Sequence, residues 1–560
     1  MALAGLAATS CEDFLTLMPL NDIVLENFWT DKNDVEAVLL GSYAALETSD
    51  CMVRMSIWGE MRSDNVTSSS NNSNNDIIQI TRDNLLSTNS FSTYKCFYDV
   101  INRANTVLHF APIVQENDPN YSRRDLLANE AEAVGLRALS YWYLIRAYKN
   151  VPYTDEPSID DTHDFFIPVS SFDSILNVLI ADLESVEPNA VNRFGKREKA
   201  ENTARITRSA INAMLADMYL WRGDYDKCIE RCEAVTARKI EEWNELIEEQ
   251  GTSCNVKDFN GYPLISEVTN GTVAGNAYNE IFGTGNSFET LFELPYDGQT
   301  HNPFVDSYYN GSSSSNGNLR ATSEVGNGFT SGSNAVFKQK TDGRYFQCCN
   351  IDGKQTNNYG ITKYVYQTLE YNLSTGSVGN SYKGTRFNFN TVYPNWIIYR
   401  YTDVLLMEAE AKVLKAKAEP AQRAQLMQEA FNLVDAVNRR ANCFNISSYL
   451  ANGKPLVFAE YSTSDSKMEE LVLDERRREL MYEGKRWFDL VRKSRRDGNT
   501  EYLVQKILPK HDASSQSAVR IKLDDPDAMY FPLNKDEIKI NTLLKQLPVF
   551  EEDEFIAKAK

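Results

Sequence analysis

The sequence predicts a mainly α-helical protein in which tetratricopeptide-like helix pairs form a scaffold and a loop-rich, irregular second lobe lies over it. Two observations carry this prediction. Apolar residues recur with the period of a helix in several long segments, whereas residues 261–400 hold 17 of the 27 glycines and 13 of the 29 tyrosines. The chain has 560 residues, enough for a large core, and it contains no run of about 18 apolar residues that would cross a membrane as a helix.

The helical segments fall into pairs joined by short turns. "ITRSAINAMLADMYLWRGDYDKCIERCEAV" (206–235) predicts two helices with Gly223 at the turn, in the order typical of one tetratricopeptide repeat. Segments 399–416 and 421–441 predict a second pair, separated at Pro420. Further helices are predicted at 34–48, 94–111, 128–148 and 171–187, and a last long helix at roughly 467–495.

The loop-rich segment is predicted to be an insertion carried by this scaffold. Runs such as "NGSSSSNGN" and "GNGFTSGSN" cannot form a regular core, although short pieces such as "ETLFEL" and "KYVYQT" have the pattern of strands. We therefore divide residues 12–560, a single domain, into a scaffold of roughly 12–260 and 393–550 and an insertion at 261–392. Long loops in compact proteins usually carry function.

The net charge and the missing catalytic motifs argue against several classes of function. The net charge of −20 repels phosphate backbones, so nucleic acid is not expected as a partner. The sequence has no HExxH, GxxxxGK[ST] or GxSxG motif. No cofactor or metal site is predicted, and nothing in the sequence supports a bound calcium ion.

The amino end resembles the end of a secretory signal. In "LAATSCEDF" small residues precede Cys11, which is the usual position of the cysteine that accepts a bacterial lipid anchor. The apolar stretch is short and no basic residues precede it, so a free, exposed cysteine is the alternative. On the first interpretation, residues 1–11 are the remnant of a signal peptide that ends at the lipidated cysteine.

The stretch "ERRRELMYEGKRWFDLVR" (475–492) brings two carboxylates, Glu479 and Glu483, within one helical turn, beside Arg476 and Arg486. Two carboxylates can act as acid and base in glycoside hydrolysis. Such a pair needs one protonated member, whereas neighbouring arginines keep both ionised. We therefore predict a structural ion-pair network and no catalytic residue.

Aromatic, amide and acidic residues in loops are the candidates for ligand binding. Aromatic rings cover the C–H faces of sugars, while amides, carboxylates and guanidinium groups satisfy their hydroxyls. The segments 63–76, 294–311 and 342–350 supply both kinds of group. The candidate contacts are Trp58, Asp64, Asn65, Tyr296, Asp297, Asn302, Phe304, Tyr308, Tyr309, Arg344 and Tyr345. The alternative for each aromatic is that it packs a loop onto the helices, and Asp64 and Asn65 are also typical of a turn.

Five stretches, in order along the chain, resemble the SusD/RagB family of outer-membrane glycan-binding lipoproteins. These are "GEMRSDNV" (59–66), "AVGLRALSYWYLIRAYKNVPYTDEP" (133–157), "YPNWIIYRYTDVLLMEAEAK" (393–412), "ERRRELMYEGKRWFDLVR" (475–492) and "YFPLNKDEIKINTLLKQLPVF" (530–550). The resemblance favours the lipid-anchor interpretation of Cys11. It does not transfer ligand-binding residues, because the loops of the family vary.

The resemblance implies a protein anchored at the extracellular face of the outer membrane. Such a protein binds oligosaccharide or polysaccharide without cleaving it and acts as the lid of a SusC-like TonB-dependent transporter. Two alternatives remain open at this point: the same fold binding peptides or another nutrient, and a surface glycoside hydrolase.

Overall fold

The computed structural model of the 560-residue chain describes residues 28–70, 72–159, 166–270, 273–309, 317–327, 335–339, 341–349, 359–372, 382–442 and 455–551. The predicted anchor Cys11 lies outside these residues, as does the rest of segment 1–27.

Helices dominate both ends of the chain, as predicted. In chain order they are α1 (Lys32–Leu46), α2 (Ser49–Ser56), α3 (Asn75–Thr81), α4 (Lys95–Asn117), α5 (Arg123–Tyr148), α6 (Phe172–Val186), α7 (Glu201–Ala204), α8 (Arg208–Arg222), α9 (Tyr225–Gln250), α10 (Asn276–Tyr278), α11 (Ser323–Gly326), α12 (Arg344–Cys348), α13 (Tyr401–Ala418), α14 (Arg423–Ala441), α15 (Phe458–Tyr461), α16 (Asp465–Glu479), α17 (Arg486–Asp497), α18 (Glu501–Ile507), α19 (Gln516–Leu523) and α20 (Lys535–Ile540).

Short strands occupy mainly the middle of the chain. They are β1 (Val66–Ser68), β2 (Val151–Pro152), β3 (Val169–Ser170), β4 (Val256–Phe259), β5 (Tyr262–Ile265), β6 (Val268–Asn270), β7 (Val273–Ala274), β8 (Thr290–Leu294), β9 (Leu319–Ala321), β10 (Tyr366–Asn372), β11 (Tyr382–Arg386) and β12 (Trp396–Arg400). The sheets are small and antiparallel: a four-stranded sheet in the order β11-β10-β7-β6, and the pairs β1-β9, β8-β12, β2-β3 and β4-β5.

The helices pack as pairs of neighbours, which confirms the predicted scaffold. α4 packs against α1 and α5, α8 against α9, and α13 against α14. Gly223 joins α8 to α9 with φ of +88°, a left-handed conformation that glycine adopts without steric cost. α5 and α13 are buried around most of their circumference, so they form the centre of the scaffold.

The single helix predicted at 467–495 is wrong. The chain leaves α16 at Glu479 and enters α17 at Arg486, and Tyr482 and Gly484 between them have φ of +65° and +73°. The turn presses against a π-helical turn that follows α2, where a Cβ atom at Gly59 would lie 1.7 Å from the Gly484 carbonyl oxygen. Two glycines are therefore needed where these two turns cross.

The lobe is tied to the scaffold through strands and charges. β8, from the predicted insertion, pairs with β12, which leads directly into α13. Glu479, at the end of α16, accepts hydrogen bonds from Arg344 (3.1 Å), Arg400 (2.7 Å) and Arg440 (2.5 Å). Glu479 and these arginines are all buried. The carboxylate therefore joins α12 and β12 to α14 and α16.

Glu483 lies in the turn after α16 and extends the same network. It accepts hydrogen bonds from Arg400 Nε (2.8 Å) and from Lys363 Nζ (2.5 Å). Burial opposes the charged form of both glutamates, but the cations around them hold their pKa values below the usual range. The predicted ion-pair network is confirmed, although its cations come from distant segments rather than from the same helix.

In the ranges that the structure describes, no helix is both long enough and apolar enough to cross a membrane.

Replacing Glu479 by glutamine is expected to destabilise the protein by about 3–5 kcal/mol, because three buried arginines lose their shared carboxylate. Urea unfolding followed by circular dichroism measures the loss as a lower midpoint. The matched control is Asp99→Asn, which removes an exposed carboxylate 2.9 Å from Lys95 and should change stability by less than about 0.5 kcal/mol. Equal midpoints for the two variants would contradict the prediction.

Candidate ligand-binding site

Two of the loop segments predicted to bind sugars meet on one side of the molecule. The Asn318 N–H donates to the carbonyl oxygen of Ser307 (3.0 Å), and the Ser69 N–H donates to the carbonyl oxygen of Asn318 (2.9 Å). β1 and β9 pair directly beside this junction, with Val66 opposite Ala321. We call the surface formed by residues 67–70, 72–75, 305–309 and 317–320 the loop face.

The loop face presents hydroxyl and amide groups to solvent. Ser70, Ser73, Asn75 and Ser307 are exposed, and Asn318 is half-buried. Hydroxyls and amides both donate and accept hydrogen bonds, which matches the hydroxyl groups of a sugar. Asp306, also exposed, adds a carboxylate.

Some polar groups of this surface are already bound within the protein. The Asn74 side chain accepts the Asp76 N–H at 3.0 Å and so caps α3. Asn72 Nδ2 donates to Ser68 Oγ at 3.0 Å. These contacts fix the shape of the loop before any ligand arrives.

Tyr308 is the aromatic ring at the edge of the loop face. Its turn, a π-helical segment at Val305–Tyr309, is held by Asn302, whose Oδ1 accepts the N–H groups of Phe304 (3.0 Å) and Val305 (3.2 Å). Phe304 stacks on Tyr308 with ring centroids 4.4 Å apart, and the Tyr309 hydroxyl donates to the carbonyl oxygen of Tyr482 at 3.0 Å. The turn is therefore held from below by Asn302, Phe304 and Tyr309.

Tyr308 keeps 9% of its surface exposed. Burial raises the pKa of its hydroxyl to about 12, so the hydroxyl is neutral and can donate a hydrogen bond.

Trp58, Asp64 and Asn65 are buried. Trp58 Nε1 donates to the carbonyl oxygen of Phe91 at 3.0 Å, and its ring stacks on Phe97. Asn65 Oδ1 accepts from Arg477 Nε at 2.8 Å. In this structure all three side chains have partners within the protein.

Asp64 has two arginine partners. Its carboxylate lies 2.9 Å from Arg486 Nε and 3.2 Å from Arg477 Nη1. Burial opposes ionisation, but the two guanidinium groups hold the pKa of Asp64 well below its usual range. A buried, fully paired carboxylate of this kind positions the loop rather than facing solvent.

Arg344 and Tyr345 are also buried. Arg344 is bound by Asp342 at 2.7 Å and by Glu475 at 2.8 Å, in addition to Glu479. The Tyr345 hydroxyl donates to the carbonyl oxygen of Gly326 at 2.9 Å. The structure therefore separates this pair from the loop face and makes it part of the core of the lobe.

Tyr296 and Asp297 lie where the lobe meets the corner between α1 and α2. The Tyr296 ring is buried and its hydroxyl donates to the carbonyl oxygen of Glu47 at 3.1 Å. Asp297 is exposed. Burial, together with the charge of Asp297, raises the pKa of Glu47 to about 7.

Two half-buried rings that were not predicted from the sequence, Phe389 and Tyr393, lie beside segment 296–302. Their signal was the alternation of aromatic and amide residues in "FNFNTVY" (387–393), which lay at the edge of the predicted insertion.

No metal site accompanies these residues: among the residues that the structure describes, no group of three or more His, Cys, Asp and Glu side chains could hold a metal ion. Glu479 and Glu483, the two carboxylates considered for catalysis, are enclosed by cations and have no access to the loop face.

The raised pKa of Glu60, which lies below the loop face, predicts that the stability of the protein depends on pH. Its Oε1 accepts hydrogen bonds from Asn65 (3.1 Å) and Ser63 (3.2 Å), while burial raises the pKa of Glu60 to about 7. This folded-state pKa lies above the unfolded value. Protonated Glu60 therefore makes its full contribution to the free energy of unfolding below about pH 4.5, and this contribution is lost as the pH rises through 7. Burial raises the pKa values of Glu267 and Glu408 to about 7 as well.

The melting temperature of the wild type should therefore fall between pH 5 and pH 8, and it should fall less in Glu60→Gln, which is neutral at both. Scanning calorimetry at the two pH values measures the difference. The exposed Glu248→Gln is the control and should keep the wild-type difference. A Glu60→Gln protein with the full wild-type difference would show that Glu60 is not responsible.

Comparisons with known proteins agree with the fold. A family model described as the SusD family matches residues 289–550. SusD-like protein P38 of Formosa agariphila is 24% identical over 497 residues, which cover 86% of this chain and 88% of that protein. SusD-like protein P2 of the same organism is 24% identical over 505 residues, covering 87% of this chain and 88% of that protein.

Solved structures show the same fold at lower sequence identity. A SusD superfamily protein from Bacteroides vulgatus superimposes with a TM-score of 0.65 and 19% identity, covering 93% of this chain and 100% of the other. A protein described as a putative sugar binding protein, also from Bacteroides vulgatus, gives a TM-score of 0.62 and 19% identity over 93% and 98% of the two chains. The solved structures show the fold, and the family model together with the curated relatives supports a SusD/RagB family protein.

Proposed function

We propose that the protein binds oligosaccharides at the loop face and does not cleave them. The observation that carries this proposal is the junction of loops from distant parts of the chain, locked by backbone hydrogen bonds from Asn318 and Ser69. This junction sets hydroxyls and amides beside the ring of Tyr308, which are the groups that sugar recognition needs. The similarity to the SusD family and to SusD-like proteins supports the same ligand class.

The absence of cleavage is part of the proposal. It is supported by the cations that surround Glu479 and Glu483. Glycoside hydrolysis needs one carboxylic acid that stays protonated near the sugar. The cations around Glu479 and Glu483 favour the ionised form of both groups. Glycosidase activity therefore has no candidate acid in this pair.

The family also supports a location and a partner. We propose that Cys11 carries a lipid that anchors the protein to the extracellular face of the outer membrane. From there it would deliver its ligand to a SusC-like TonB-dependent transporter and act as the transporter's lid. The long helical scaffold gives such a lid rigidity, because its central helices α5 and α13 are buried on nearly all sides.

Gel retardation tests the ligand class. The protein starting after Cys11 is run through native gels that contain soluble starch, galactomannan or hydroxyethyl cellulose, and binding is measured as slower migration. We expect retardation by one glycan class and no shortened products after incubation with that glycan. Shortened products would contradict the absence of catalysis, and binding of peptides without any glycan would contradict the ligand class.

Tyr308→Ala is expected to weaken binding of the glycan that retards the wild type about tenfold, equivalent to about 1.4 kcal/mol. The reason is that one ring and one hydroxyl are removed from the loop face. Tyr262→Ala is the matched control: this half-buried tyrosine lies on β5, which packs against α9 and α14. Unchanged binding by Tyr308→Ala would contradict the placement of the site. Trp58 and Tyr296 are unsuitable for this test, because their removal would leave cavities in the core.

A further inference from the structure

A second loop is joined to the segment that carries the loop face. It runs from Phe387 to Asn395, between β11 and β12. Asn395 Oδ1 accepts the Tyr296 N–H at 3.1 Å, and Asn302 Nδ2 donates to the carbonyl oxygen of Pro394 at 3.0 Å. These hydrogen bonds connect the two loops at both ends of segment 296–302.

The two loops touch closely between these bonds. A Cβ atom at Gly298 would lie 3.0 Å from the carbonyl oxygen of Thr391. Each loop is also closed on itself: Asp297 Oδ1 accepts the N–H groups of Gln299 and Thr300, both at 2.7 Å, and the Asn388 carbonyl oxygen accepts the Thr391 N–H at 2.8 Å. Hydrogen bonds within and between the two loops therefore fix the backbone of this double loop.

The aromatic rings form a ridge on this double loop. His301 stacks on Tyr393 with centroids 4.2 Å apart and ring planes 12° apart. Phe389 lies 6.1 Å from Tyr393, and its carbonyl oxygen accepts the Tyr393 hydroxyl. Phe387, 6.1 Å from Phe389, is buried, Phe389 and Tyr393 are half-buried, and His301 is exposed. The ridge thus rises from the core of the lobe to the solvent.

Uncharged polar side chains surround the ridge. Gln299, Thr300, Asn388, Asn390 and Thr391 are all exposed. Amides and hydroxyls around an aromatic surface match a pyranose ring, which has a C–H face and a rim of hydroxyls.

The charge beside the ridge is negative. Asp297 is exposed, and the N–H groups of Thr300 and Gln299 lower the pKa of its carboxyl, so it is ionised at neutral pH. The basic residues nearest in sequence to the loop 387–395 are Lys383 and Arg386, both on β11. Lys383 lies opposite Glu370 in the strand register, and Arg386 interacts with another group of the protein. A fixed carboxylate at the rim disfavours an anionic sugar.

We propose that His301, Tyr393 and Phe389 form a stacking subsite for an uncharged pyranose ring, with Gln299, Asn388 and Asn390 as its hydrogen-bonding rim. The subsite deepens the proposed function and rests on it, since the same segment continues into the turn of Tyr308. It adds a second contact for an oligosaccharide and selects against acidic glycans.

The test uses the gel assay with soluble starch, galactomannan and hydroxyethyl cellulose, each beside its carboxymethyl derivative. His301→Ala and Tyr393→Ala should each weaken binding of the neutral glycan at least fivefold. The control Tyr262→Ala should bind within twofold of the wild type. The carboxymethyl derivative should bind less tightly than its parent at low salt, and Asp297→Asn should narrow this difference.

The outcomes separate the subsite from the function on which it rests. If His301→Ala and Tyr393→Ala bind the glycan as tightly as the wild type while Tyr308→Ala binds it less tightly, the subsite is overturned and the proposed function stands. A carboxymethyl glycan that binds as tightly as its parent would overturn the selection against charge. A wild type that binds no neutral glycan would overturn both proposals. His301 is exposed, so its alanine variant tests the ridge even if Tyr393→Ala does not fold; thermal melts of each variant check this.

Discussion

The buried carboxylate of Glu479 is the point on which the arrangement of the lobe depends. Burying an ion is costly unless it is paired and fully hydrogen-bonded, and Glu479 meets this condition only when Arg344, Arg400 and Arg440 all reach it. These three arginines come from separate elements of the lobe and the scaffold. An alternative packing that moved one of them would leave a charge buried without a partner. Electrostatics therefore sets the relative positions of elements that hydrophobic packing alone would hold less specifically.

The same arrangement explains why most of the residues expected to bind ligand point inward. Loops without regular secondary structure need anchors, and here the anchors are large side chains with polar tips: Trp58, Tyr296 and Tyr309 each bury a ring and bind a backbone carbonyl oxygen. The exposed surface is left to smaller polar residues and a few ring edges. Rigid loops lose little conformational freedom on binding, so a weakly aromatic surface can still hold a ligand.

Much of the fold could be predicted from the sequence because its signals are local. Helix period and the breaks at Gly223 and Pro420 predicted the pairs correctly. The break after Glu479 could not be predicted, since Leu480, Met481 and Tyr482 are buried and continue the apolar pattern while the backbone turns. For the site, composition could point to loop segments but not to the side chains in them that face solvent. In an irregular loop no period separates inward from outward residues, and a partner such as Arg486 for Asp64 lies 422 positions away.

The crossing of Gly59 and Gly484 has a consequence for the order of folding. Close to it, Arg62 donates to the carbonyl oxygens of Ala528 and Met529, so a turn near residue 60 is completed by residues near 530. Contacts of such long sequence separation form late, because the loop between them must first be closed. Two of the hydrogen bonds of Arg62 therefore form only after residues near 530 have been synthesised. A chain that is still being made or exported lacks the contacts that complete its own beginning.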